Sequence, residues 1–549
     1  MHVWLAEATA QQRTLLVSRY DPYLKSPESA PVLSFSVSGG RCSMSCLNAA
    51  DLSWAQMQRL SSPSVPVLGL LGLLKIGGDI FLGCITGAER VGCLQRGQWI
   101  ARVRGVSFFC VNRTVLDEAS PYGIDPQEYG RGNSMEAPTE SPCASIRKYM
   151  TSGSFFFAER AAFDLTRRVA HIERRVDLDQ QFESQYAWNA YMMEPILQFR
   201  SRLEPSTRAE LDQDALFLLV IQGYVGMASA PFGPDRLGKC TLAVISRLSS
   251  LRAGTRYSVR GIDDQGYAAN FAETETVLTF GDELLSYVQI RGSVPLFWQQ
   301  QGLQALNARI QITRSGAASQ PSFEQHMQRL LDDYERVFVL DLLGTRDAEA
   351  MLSQAYVDHI EAILGKLPWH GDQKPLRYYN FDFHTIAKAA GGLDGARAEL
   401  DRLNNVQSHR QNNGYTLVRL CKDHTEHLVT QTGVFRVNCF DCLDRTNVVQ
   451  GCLSQVVLRD FFKAISREVH GDANLAQLND TPGLPEMLWS LHGRLWAENG
   501  DTLAQISTGT GSLNSDYMRS GTKKFWTGLL SDAAKSASRY VSWTHAECT

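Results

Sequence analysis

No long uninterrupted apolar run occurs in the 549 residues. The nearest to one, Val65–Gly87 (VPVLGLLGLLKIGGDIFLGCITG), is broken by Lys75, Asp79 and six glycines. That rules out a bilayer-crossing helix there and predicts two buried strands meeting at Gly77-Gly78. Excess positive charge is also missing: the net charge is −4, which argues against bulk nucleic-acid binding and leaves any anionic ligand to a local cluster of Arg and Lys. The twelve cysteines follow no framework spacing, and the opening MHVWLAEATAQQRTLLVSRY has no leader-like apolar block. A reducing, cytoplasmic setting is therefore expected, with any membrane contact peripheral.

The length exceeds one ordinary core, so two lobes are expected, 1–200 and 201–545. Three stretches read as loops or linkers. Ser26–Ser64 is rich in Ser, Pro and Gly, residues 116–142 have almost no apolar content, and Gln299–Ser322 is polar and weakly patterned. Residues 26–64 and 116–142 are thus expected to be insertions in the first lobe. The first third carries strand-like pieces (VLGLLGLL, IFLGCI, GVSFFCV, SFFFA) and a helix expected near Ala158–Val176. Later, LFLLVIQGYV, TLAVISRL, TVLTF, RVFVLDLL and LRYYNFDF alternate with helical patterns over Phe323–Tyr334 and Asp347–Leu364. That alternation predicts an α/β fold.

Chemistry is concentrated in Arg436–Asn447, RVNCFDCLDRTN. The β-prone GVFRV precedes it, and Val448, Val449, Cys452, Leu453, Val456 and Val457 follow at helical spacing. A loop between a strand and a helix start offers unpaired amide N–H groups and a positive helix end to an anion. Cys439 and Arg445 are spaced to curl such a loop around a phosphate, with the sulfur beneath phosphorus and the guanidinium gripping two oxygens. The same surroundings would ionise Cys439 and make it a nucleophile. A C-x5-R spacing is weak by itself in a cysteine-rich chain. Cys439-x2-Cys442 also admits a redox pair or half of a zinc site, but zinc needs a second pair, and Cys42-x3-Cys46 lies in the other half.

R-x-N-C-x-D-C-L-D-R-T-N resembles the signature of the Sac-domain phosphoinositide phosphatases. TSGSFFFA, WNAYMMEPIL, VIQGYV, the stretch Ile245–Glu275, VQIRGSVPLFW, YYNFDFH and STGTGSLNSDYMRSGTKK resemble further blocks of that family. The resemblance implies a β-rich N-terminal lobe packed on a larger catalytic lobe, the latter a mixed sheet flanked by helices and bearing the C-x5-R phosphate loop. It implies hydrolysis of phosphate monoesters from phosphatidylinositol phosphates through a cysteinyl-phosphate, without metal or other cofactor. The 4-phosphate is favoured, with the 3-phosphate or 3,5-bisphosphate as alternatives. A catalytically weak phosphoinositide-binding scaffold is the rival reading, and a protein phosphatase a third. Neither a pair of apolar spans nor an inositol 5-phosphatase domain follows Arg539-Tyr540, so a short form is expected, working on lipids at endoplasmic reticulum, Golgi or endosome surfaces.

Cys439 would attack phosphorus and Arg445 neutralise the oxygens. Asp441 is the favoured general acid, and Asp444 is the alternative acid or else orients the arginine or caps the helix, as Asp at a helix start commonly does. Thr446 could bond the thiolate, Asn438 and Asn447 would hold the loop, and Phe440, Cys442 and Leu443 line it. Arg252, Arg256 and Arg260 recur every four residues beside Gly254 and Gly261, which suits one face of a strand presented to an anionic headgroup. His384 is expected near the pocket.

Overall fold

The structure is a computed structural model. It describes residues 1–8, 12–19, 30–60, 67–94, 97–112, 141–159, 164–171, 184–213, 216–233, 238–255, 258–301, 309–366, 374–421, 424–468, 478, 481–513 and 518–519. The chain forms two compact units, residues 1–167 with 174–222, and residues 168–173 with 223–549.

The first unit contains an antiparallel sheet ordered β4-β3-β2-β1-β5, built from β1 (His2–Ala8), β2 (Gln12–Ser18), β3 (Pro31–Ser38), β4 (Arg41–Asn48) and β5 (Met57–Arg59). A second antiparallel run comprises β6 (Gly69–Ile76), β7 (Asp79–Cys93), β8 (Trp99–Cys110) and β9 (Phe155–Ala158). As expected, β6 and β7 meet at Gly77-Gly78, both glycines at positive φ. Helices α1 (Ala144–Met150), α2 (Ala190–Ser201) and α3 (Pro205–Gln213) complete the unit.

Three expectations for irregular or helical segments are corrected. Residues 26–64 are not a loop-rich insertion, because β3, β4, β5 and the 3₁₀ turns Ala49–Asp51 and Trp54–Gln56 occupy most of them. In RCSMSCLN, small polar residues alternate with Cys42, Met44 and Cys46, which pack on the apolar cluster of Leu33, Phe35 and Leu82. That is a period-two pattern which Ser content disguised as linker. No helix starts at Ala158: that residue ends β9, and Val169–His171 is one 3₁₀ turn after an Asx turn in which Thr166 N donates to Asp164 Oδ1 at 2.9 Å. Gln299–Ser322 is structured too, with β14 (Trp298–Gln301) pairing β15 (Arg309–Ile312) before α4 (Gly316–Tyr334), which Ser315 caps. The expected insertion at 116–142 lies almost wholly outside the described residues.

The second unit is a large mixed sheet flanked by helices. Its antiparallel part joins β10 (Val220–Phe232, from Gly223 onward), β11 (Gly238–Leu248), β12 (Ala272–Phe280) and β13 (Glu283–Arg291). β13 then pairs in parallel with β20 (Val434–Asn438), β20 with β16 (Val337–Asp341), and β16 with β17 (Leu376–Asn380). Parallel neighbours need crossovers. α5 (Asp347–Leu364) supplies one, while α6 (Phe383–Ala389), α7 (Leu393–Arg402), α8 (Asn404–Asn413) and the hairpin β18 (Thr416–Leu420)–β19 (Thr425–Val429) lead back to β20. α9 (Asp444–Glu468) and α10 (Leu484–Thr508) bury Leu458, Phe461, Leu488 and Trp496 against β10, β11 and β12. Among the described residues, no helix is long and apolar enough to cross a membrane.

Candidate active site

The ends of β16, β17 and β20 open on the same edge of the second sheet, where ligands of open α/β sheets bind. Asp341, the last residue of β16, ties these ends together. Wholly buried, it accepts from Asn438 Nδ2 at 2.6 Å, Leu343 N at 3.2 Å, Ser353 Oγ at 2.7 Å and Tyr378 Oη at 2.7 Å. Burial raises its carboxyl, and these four donors act against that rise. Sequence reasoning passed over Asp341 because its partners come from three other elements.

From Asn438 the chain turns through residues 439–443 into α9. The turn depends on Cys442 at φ +57°, a left-handed conformation that a non-glycine residue adopts at a strain of about 1–3 kcal/mol. That backbone aims Cys442 N at Cys439 Sγ, 3.1 Å away. On the other side Thr446 Oγ1, wholly buried, donates to the same sulfur at 3.3 Å. Burial pushes the Cys439 thiol up, yet bonding from Cys442, the Arg445 guanidinium and the Thr446 hydroxyl draw it down to about 6, against an opposing push from Asp441. The Cys442 thiol donates to Cys439 O at 3.3 Å. Burial, and then its bond to and the charge of Cys439, hold it well above the usual thiol range. One of the two sulfurs is set up to ionise and the other to stay protonated.

Arg445 is mostly buried. Its Nη1 donates to Leu342 O at 3.2 Å and its Nη2 to Glu349 Oε1 at 3.2 Å, while the other Glu349 oxygen takes Gly344 N at 2.6 Å. Burial works against the Arg445 charge, but Cys439 and Glu349 more than offset it. Glu349 was not legible in the sequence, being one acid among several on a helix distant in chain order.

The other expected site residues are distributed unevenly. Asp441 pairs with Arg260 Nη1 at 2.6 Å, and that nitrogen also donates to Phe440 O at 3.0 Å. The Arg260 guanidinium lies over the Phe440 ring at 4.7 Å from its centroid, with Trp298 against the same ring. Asp444, first in α9, accepts from Ser512 Oγ and Leu513 N, both at 2.7 Å, and so fastens a distant segment to the helix start. Asn447 Nδ2 donates to Trp496 O at 2.8 Å, and Leu443 is buried. His384 stands exposed at the start of α6. Burial and then Arg445 lower its imidazole below the usual range, which places it within the electrostatic reach of that guanidinium.

The expected strand face of arginines is a correction. Residues 249–255 and 258–260 contain no strand. Arg252 takes φ +57°, and its Nη2 donates to Arg260 O at 2.6 Å. Gly261 at φ +61° ends the stretch so close to Leu296 O that a Cβ would lie 2.0 Å from it. Of the two described arginines only Arg260 touches the loop, and Arg256 lies outside the described residues.

Comparison with known proteins places the chain. A family model described as the SacI homology domain matches residues 68–388, ending before the loop at 436–447. Inositol-1,4,5-trisphosphate 5-phosphatase 1 of Schizosaccharomyces pombe is 34% identical over 484 residues, 86% of this chain and 41% of that protein. Polyphosphatidylinositol phosphatase INP53 of Saccharomyces cerevisiae is 33% identical over 91% of this chain and 43% of its own length. Synaptojanin-1 of Mus musculus is 30% identical over 90% of this chain and 27% of its own length. The chain thus spans less than half the length of these relatives. With more than half of its residues inside the family match, the chain belongs to the SacI homology domain family.

Proposed function

We propose that the chain is a phosphoinositide phosphatase whose loop at 439–445 is a phosphate-binding C-x5-R loop and whose nucleophile is Cys439. The observation that carries this reading is the Cys439 sulfur, buried, facing an amide N–H and a hydroxyl, with Arg445 acting on its charge. The names of the relatives, two of them phosphatases of inositol phosphates or phosphatidylinositol phosphates, support the substrate class.

Sγ would attack phosphorus while the bond from phosphorus to the inositol oxygen breaks, giving a cysteinyl-phosphate. Water would then cleave the S–P bond and restore the thiolate. Amide N–H groups of the loop and the start of the 25-residue helix α9 would hold the phosphate oxygens, and Arg445 would neutralise them. The inositol alkoxide is a poor leaving group and needs a proton, which Asp441 would supply. Its ion pair with Arg260 favours the carboxylate. Donation therefore requires Arg260 to turn to the substrate's phosphates as they arrive. Asp444 is committed to Ser512 and Leu513, which suits an anchor better than an acid.

We assign the 4-phosphate of phosphatidylinositol 4-phosphate as the preferred target, with the 3-phosphate and 3,5-bisphosphate behind it. The lipids would be met at endomembrane surfaces from the cytoplasmic side. Phosphate release from short-chain versions of all seven phosphoinositides tests this reading. Release by wild type in EDTA, greatest from the 4-phosphate, and none by Cys439→Ser is expected. Equal release by Cys439→Ser would overturn the nucleophile, and loss in EDTA the metal-free chemistry.

A further inference from the structure

Arg291 closes β13 and pairs in register with Val437, two residues before Cys439. It is 2% exposed. Its Nη2 donates to Asn447 Oδ1 at 3.3 Å, while Nε and Nη1 meet no acceptor. Among the described residues no carboxylate lies within ion-pair distance of it. Guanidinium groups taken out of water without an anionic partner are strongly disfavoured, so this burial calls for a counter-charge.

The surroundings narrow the choice. Arg436, also wholly buried, uses only neutral acceptors: Ser293 O at 2.7 Å, His326 Nε2 at 3.2 Å and Asn438 Oδ1 at 3.5 Å. Asp341 is occupied by Asn438, Ser353 and Tyr378. Glu349 serves Arg445, and Asp441 serves Arg260. What remains is the sulfur pair. Burial pulls Arg291 down to about 10, and the Cys442 and Cys439 sulfurs act against that pull. Among the described residues, Arg291 and Arg436 thus lie buried beside the loop without a carboxylate partner, and of the two sulfurs Cys439 is the one set up to ionise.

We propose that Arg291 is a positioning residue for the nucleophile, a buried counter-cation that keeps the Cys439 sulfur charged before any substrate arrives. The inference rests on the cysteine-dependent reading above. Arg445 carries a carboxylate in this arrangement and must also serve the phosphate. Arg291, out of reach of solvent, has no such competing duty. The charged and titratable groups that act on the sulfurs are Asp441 and Arg445 from the loop, Arg436 from β20 and Tyr356 from α5, with Glu349 of α5 against Arg445 and Asp341 of β16 against Tyr356. His326 from α4, lowered by burial and by Arg436, and His384 from α6 complete the set.

The test is the pH dependence of Cys439 alkylation by iodoacetamide, read by mass spectrometry on the full chain, with a melting curve for each variant. Wild type is expected to reach half-maximal rate near pH 6. Arg291→Met should move that point up by about one pH unit and should melt no lower, since no carboxylate is left without its partner. Arg291→Lys should stay close to wild type. Arg291→Gln, which keeps polar donors without charge, gives the same reading if the Met variant does not fold. Profiles of the neutral variants that superimpose on wild type overturn the proposal, as does a loss of rate that only tracks a lower melting temperature. A wild-type thiol with no inflexion below pH 8 would instead overturn the cysteine-dependent reading itself.

Discussion

The carboxylate of Asp441 lies 2.6 Å from the guanidinium of Arg260, a residue 181 positions earlier that also holds the neighbouring carbonyl of Phe440. This pair decides whether Asp441 can act as an acid. Asp441→Asn should slow hydrolysis of phosphatidylinositol 4-phosphate by about 10²–10⁴-fold. Hydrolysis of p-nitrophenyl phosphate, whose leaving group hardly needs a proton, should change far less. Steady-state rates on both substrates check this, and equal losses would move the acid role elsewhere.

Asp444 should behave differently. Its Oδ1 accepts from Ser512 Oγ and Leu513 N, so Asp444→Ala should lower stability by about 1–3 kcal/mol, and activity on the two substrates should fall together. Denaturant unfolding measures the first and the rate ratio the second. A selective loss on lipid would make Asp444 the acid.

Thr446 is wholly buried with its hydroxyl on the Cys439 sulfur. Thr446→Val keeps the shape and removes the donor. It should cut turnover by about five- to tenfold, the worth of one hydrogen bond of about 1 kcal/mol, with the steepest loss at the acid end of the pH range. An unchanged pH–rate profile would show the hydroxyl to be a packing group only.

The Cys439 value is depressed in the folded chain, to about 6. Its contribution to stability is therefore fully present above the unfolded thiol's value, about 8.5, and is lost as pH falls through the folded value. The melting temperature of wild type relative to Cys439→Ala should thus rise between pH 6 and 8.5. Scanning fluorimetry across that range measures it, and a flat or falling difference would contradict the direction.

The fold was legible where one residue type dominated a short stretch. RVFVLDLL, LRYYNFDF and GVFRV became β16, β17 and β20 because apolar runs bounded by polar turns have few other uses. RCSMSCLN was hidden because serine at every second position resembles a linker by composition, although the alternation itself is strand-like. The loop at 436–447 could be read because its reactive groups are neighbours in sequence. Asp341, Glu349 and Arg291 could not, since each reaches the loop from a different element 90 to 150 residues upstream, and only the strand order β16-β20-β13 brings them there. The spacing of Arg252, Arg256 and Arg260 misled for a related reason. Even spacing puts residues on one face only in regular structure, and the glycine at 261 and a left-handed Arg252 prevent it.

The central claim is that phosphorus passes through a bond to one sulfur. Acid quenching during turnover of phosphatidylinositol 4-phosphate, followed by mass spectrometry of the peptide containing Cys439, tests it directly. The account predicts a phosphate on Cys439 that disappears as substrate is exhausted. Steady turnover with Cys439 unmodified, or with phosphate carried by another side chain, would contradict it.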